Sequence, residues 1–98
     1  VNKVEFENLA SCAAEDPFTF AEFTKRIENL FLESHNTSAL EKYRSAWFEL
    51  EIVNATALAD WESDGCPVQW NEAWVEKYRA DAIETLAMVR EAADLLWS

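Results

Sequence analysis

The side chains able to do chemistry are few and far apart. His35 is the only histidine, and Cys12 and Cys66 are the only cysteines. A nucleophilic triad would have to be built from His35 and a serine or cysteine, and no nucleophile–base–orienter set stands out. With a single glycine, Gly65, no glycine-rich phosphate loop can exist. No His-Glu-x-x-His, Cys-x-x-Cys or calcium-loop pattern is present. A di-metal helical site would need Glu-x-x-His motifs on several helices, and one histidine cannot supply them. Nineteen acids guarantee some close carboxylate pairs, so such pairs carry little specificity for hydrolytic chemistry. The expectation is a protein that is not an enzyme and uses no metal or cofactor. His35 is expected near a helix C-terminus, where an imidazolium favours the dipole.

Charge placement is more informative. The net charge is −11, from 19 acids against 8 Lys and Arg. Between Ser45 and Val75 there is no Lys or Arg. That stretch holds Glu49, Glu51, Asp60, Glu62, Asp64 and Glu72, together with Trp47, Trp61, Trp70 and Trp74. Asp60, Glu62 and Asp64 fall in the last turn of an expected helix. Negative charge there opposes the dipole at a cost of roughly 0.3–1 kcal/mol each. Local rules broken in this way point to a functional surface. Tryptophan beside carboxylate suits a basic partner, through salt links and cation–π contact. The expected contact residues are Glu49, Asp60, Trp61, Glu62, Asp64, Trp70 and Glu72. Trp70, in a loop before a helix, is expected to be the most exposed tryptophan. The competing reading makes the tryptophans core and the acids a solvated rim.

Such a balance repels phosphate, so nucleic acid is not expected as a direct ligand. It favours a basic protein, such as a nuclease or nucleic-acid-binding protein. Val1–Pro17 has no continuous apolar segment of the signal-peptide kind, and no apolar run approaches the ~18 residues of a membrane span. A cytoplasmic setting is expected, with the cysteines as reduced, buried thiols; a Cys12–Cys66 disulfide is the alternative.

The elements that must position these groups read as helices. One Gly and two Pro leave few tight turns, which argues against an all-β domain. A first helix is expected over Asn2–Ala14, ended by Asp16-Pro17. A second opens at Thr19, where Thr19 and Glu22 form a capping box and Phe18 and Phe23 a staple. Its apolar positions Phe20, Phe23, Ile27, Leu30 and Phe31 continue to an exit at His35-Asn36. A third opens at a capping box formed by Ser38 and Glu41 and runs to Ser63. Leu40, Tyr43, Trp47, Leu50, Asn54, Ala57 and Trp61 form its inner stripe, with Asn54 as a register-fixing polar residue. Phe48, Ile52, Ala55 and Ala59 form a second apolar face on the same helix. A fourth helix starts at Asn71, stapled by Trp70 and Val75, and runs to the apolar Leu95-Leu96-Trp97. Short connections favour antiparallel neighbours. The expected fold is all-α: an antiparallel four-helix bundle with two long C-terminal helices, residues 1–98 forming one domain.

The segment Phe18–Ile27 resembles the second helix of colicin D-type immunity proteins, through Thr19, Glu22, Phe23, Arg26 and Ile27. Members of that family are small acidic helical bundles. The resemblance implies a protein that neutralises a tRNA-cleaving nuclease domain by presenting acids to its basic cleft, imitating a nucleic-acid backbone. The alternative function is a structural or oligomeric helical module, a homodimer or a part of a larger assembly, docking through its second apolar face.

Overall fold

Helix starts in this chain are set by short polar side chains that accept from otherwise unpaired N–H groups. The computed structural model describes residues 1–97. It is all-helical: α1 Lys3–Cys12, α2 Pro17–Ile27, α3 Thr37–Ser63, α4 Asn71–Lys77 and α5 Arg79–Trp97, with no strand among the described residues. Asn2 caps α1 by accepting from Glu5 N–H at 2.8 Å. Asp16 caps α2, accepting from Phe18 N–H at 3.0 Å, Thr19 N–H at 2.8 Å and the Thr19 hydroxyl at 2.7 Å. The expected cap at Thr19 therefore lies one turn too late. Pro17 explains the difference: its fixed φ suits the first helical position, and its missing N–H costs nothing there. The Phe18–Phe23 staple does not form either. Phe18 is 43% exposed and sets its ring edge on Trp61, whereas Phe23 is buried.

Beyond Ile27 the chain tightens into turns, with N–H bonds from Leu30 to Ile27, Leu32 to Asn29 and Ser34 to Phe31. These i→i+3 bonds end α2 early yet still turn Phe31 into the core. His35 consequently sits exposed in the segment before α3 instead of at the end of α2. Asn36, not Ser38, caps α3, accepting from Ala39 N–H at 3.1 Å.

The inner stripe of α3 holds as read: Tyr43, Leu50, Asn54 and Ala57 are buried, and Leu40, Trp47 and Trp61 are half-buried. Its exit is a left-handed turn, with Gly65 at φ +90° and Cys66 at φ +54°. Gly65 N–H bonds to Glu62 C=O and Cys66 N–H to Trp61 C=O, satisfying carbonyls the helix leaves open. Cys66 is exposed and Cys12 half-buried, both free, so the thiols are not the buried pair expected.

The expected fourth helix is two. Tyr78, at φ −126° and ψ −26°, interrupts it between α4 and α5. The interruption turns the Tyr78 ring onto Trp70, 5.9 Å away and stacked, and its hydroxyl onto Asp60. The N–H of Tyr78 still bonds to Trp74 C=O and that of Ala82 to Tyr78 C=O, so the bend loses little hydrogen bonding.

The helices share one core. The end of α3 meets the junction of α4 and α5 through Asp60 and Tyr78. The start of α3 and the end of α5 line a common groove at Ser38 and Leu95. Along α2 and α3, Phe18 meets Trp61, the Trp47 indole reaches Thr24 C=O, and the Tyr43 hydroxyl reaches Ile27 C=O. Glu5 pairs with Arg26 of α2 and Glu7 with Arg90 of α5, tying α1 to both. Phe6, Phe20, Phe23, Ile27, Tyr43, Leu50, Trp74 and Val89 are large side chains that are fully buried. Trp97 packs on Phe6 and Phe31, so the apolar end of α5 docks as expected.

Candidate functional site

The acidic, tryptophan-rich stretch folds back on itself. Trp61 is half-buried and donates to Pro67 C=O at 2.8 Å. Trp70 is 5% exposed and donates to Asp64 Oδ2 at 2.8 Å. Its expected exposure is overturned, because α4 begins by turning this indole under the α3–α4 connection, where Asp64 satisfies its N–H. Trp47 donates to Thr24 C=O and Trp74 to Ala14 C=O. Every tryptophan of the stretch thus spends its one donor inside the chain, which favours the core reading.

Asp60 is likewise engaged, accepting from the Tyr78 hydroxyl at 2.8 Å and from Lys77 Nζ at 3.4 Å. Burial raises the Tyr78 phenol above its ordinary value, and the hydrogen bond and charge of Asp60 and the charge of Asp64 raise it further. Asp60 and Asp64 therefore offset their unfavourable dipole positions with internal donors. They form a bracket that holds α4 and the α5 start against α3.

What remains open at this end is Glu62, exposed on the outside of α3, and Glu72. Glu72 lines a shallow hollow of about 440 Å³ with Asp64, Gln69, Trp70, Glu76 and Lys77. Glu49 belongs elsewhere. It is separated from Asp60 by three helical turns, roughly 16 Å along α3. The seven expected contact residues thus do not converge on one surface.

Glu49 instead lines a groove of about 720 Å³ between the first half of α3 and the second half of α5. Ala46 and Ala92 lie at its base, where small side chains leave room between the helices, and Met88 and Leu95 form an apolar wall. Glu41, Glu49 and Glu91 stand around it, with Lys42 the one basic residue of the lining. The depression continues past Ser38 and Lys42 to Asn36. Sequence reading missed Glu41, Met88, Glu91 and Leu95. The available signal was Met88 and Leu95, seven residues apart and so on one face of α5.

A second surface was legible. Phe48 is 59% exposed and Ile52 44% exposed, and Ala55 and Ala59 are exposed in line with them. Among the described residues no cluster of three or more His, Cys, Asp or Glu could hold a metal ion, and no helix is long and apolar enough to cross a membrane. Comparison with protein-family models, curated proteins and solved structures finds no match.

Proposed function

We propose that this chain is a non-enzymatic, acidic binding protein that engages a basic segment of another protein in the groove between α3 and α5. The frame is an antiparallel four-helix bundle in which α4 and α5 together form one leg. The observation that carries the reading is the groove itself: an apolar base and wall of Ala46, Met88, Ala92 and Leu95 under the carboxylates Glu41, Glu49 and Glu91. An amphipathic basic segment fits that pattern. Its apolar side chains would meet Met88 and Leu95, and its Lys or Arg residues the carboxylate rim. The net charge of −11 adds long-range steering toward such a partner. A nuclease or nucleic-acid-binding protein is the leading partner class, in keeping with the immunity-protein resemblance of Phe18–Ile27. Cytoplasmic action beside such a partner belongs to the same reading.

The test is capture of a basic protein at low salt, compared across two variants. Glu41→Lys, Glu49→Lys and Glu91→Lys together reverse the groove; Glu62→Lys with Glu72→Lys reverses the exposed acids near the α3–α4 connection. The groove variant should lose the partner, the other pair should keep it, and native binding should weaken as salt rises. A partner held equally by the groove variant, or binding indifferent to salt, would overturn the proposal. The second reading, a helical module docking into an assembly, is favoured by the exposed face of Phe48, Ile52, Ala55 and Ala59.

A further inference from the structure

A 27-residue helix that already buries one stripe in the core rarely needs a second apolar line on the opposite side, yet α3 has one. Phe48, Ile52, Ala55 and Ala59 lie opposite Tyr43, Leu50, Ala57 and Trp61, and all four are exposed. Two of them are large and two small, and the large ones come first. Their spacing is four, three and four residues, which reads the same in both directions along the helix.

We infer that this face binds a second copy of the chain, with the two α3 helices antiparallel about a twofold axis between Val53 and Asn54. The palindromic spacing then sets Phe48 against Ala59 of the other copy and Ile52 against Ala55, twice each, so that every large side chain meets a small one. Charge follows the same symmetry. Arg44 and Glu62 are exposed on the same flank of the stripe, and the antiparallel arrangement brings Arg44 of each copy beside Glu62 of the other. A parallel pairing would set Phe48 against Phe48 and would carry Arg44 of one copy and Glu62 of the other to opposite flanks and opposite ends of the stripe. Glu49 and Asp60 lie about a quarter-turn further round α3, toward α5, outside the contact.

This interface is distinct from the groove, and the two respond oppositely to salt. Two copies of net charge −11 repel each other, so screening should strengthen self-association while it weakens capture of a basic partner. One helix pair lies at the low end of specific interfaces, about 1,000 Å² of total buried surface, so the dimer is expected to be concentration-dependent.

Sedimentation at rising concentration should show a shift from the 11.3 kDa chain to twice that mass. Ile52→Glu and Phe48→Glu, at exposed positions, should leave the helical circular dichroism intact and raise the dimer Kd by about tenfold or more. Arg44→Glu should weaken the dimer, and Arg44→Glu with Glu62→Arg should restore it. Register is read by cysteine pairing after Cys12→Ser and Cys66→Ser. A mixture of Phe48→Cys and Ala59→Cys chains should cross-link on oxidation, whereas neither should do so alone. A chain that stays monomeric at high concentration and salt overturns the inference. So does a dimer indifferent to Ile52→Glu, or one that cross-links Phe48→Cys to itself.

Discussion

Removing the Asp16 carboxylate is the sharpest check on how α2 begins. Asp16→Ala deletes the acceptor of two backbone N–H groups and of the Thr19 hydroxyl. Loss of an N-cap costs about 1–2 kcal/mol. The lost negative charge at the positive end of the dipole adds roughly 0.3–1 kcal/mol. The sum is about 1.3–3 kcal/mol. With a urea m-value of about 1.5 kcal/mol/M, the unfolding midpoint should fall by about 0.9–2 M. Thr19→Val removes only the hydroxyl bond to Asp16 and should cost about 0.5 kcal/mol. Asp16→Asn keeps an acceptor but not the charge and should lie between the two. The Asp16 carboxyl carries a matching pH signature. Partial burial works to raise its pKa, but the bonds from Thr19 N–H, the Thr19 hydroxyl and Phe18 N–H outweigh it and leave the carboxyl below its ordinary value. Its stabilisation is therefore whole above the ordinary carboxylate range near 4 and lost as pH falls through the lowered folded value. The gap between native and Asp16→Asn protein should close in that acid window. Urea unfolding of the three variants decides the matter. If Thr19→Val costs as much as Asp16→Ala, the cap is at Thr19 and the reasoning fails.

Trp74→Phe should destabilise by about 2–4 kcal/mol, because it strands the Ala14 carbonyl, now 2.9 Å from the indole nitrogen, and leaves a gap beside Phe20; denaturant unfolding checks it, and a cost under about 1 kcal/mol would mean the site relaxes freely. Both tyrosines should titrate above the ordinary phenol value of about 10. Burial raises Tyr43, whose hydroxyl donates to Ile27 C=O, and burial with Asp60 and Asp64 raises Tyr78. The folded state holds these protons more tightly than the unfolded chain, so that stabilisation is whole below about pH 10 and is lost as pH rises through the folded values. Tyrosinate absorbance in native and urea-unfolded protein should separate accordingly; coincident curves would contradict it.

The amino-acid pattern alone determined the helical class, the long reach of α3 to Ser63 and which side of it faces the core. Those are periodic signals, repeated over many residues, and a stripe such as Tyr43, Leu50, Ala57 and Trp61 survives any single local exception. It also determined that Phe48, Ile52, Ala55 and Ala59 share a face, since helical spacing suffices for that. Caps were less legible, because Asp16 and Thr19 are both good cap residues and only the geometry around Pro17 separates them. What the tertiary structure decided was partnership. Composition cannot tell an acid that waits for a stranger from one that serves its own chain. Asp60 and Asp64 belong to Tyr78, Lys77 and Trp70, groups up to 18 residues away in sequence, and folding alone brings them into hydrogen-bond range. Tyr78 is a case of the same kind. At the break after α4 the Tyr78 hydroxyl meets Asp60 on α3, a contact that local propensity does not announce. The groove is likewise a product of packing. Glu49 and Glu91 face one hollow because Ala46 and Ala92 leave space between two helices that the chain joins only after a long detour.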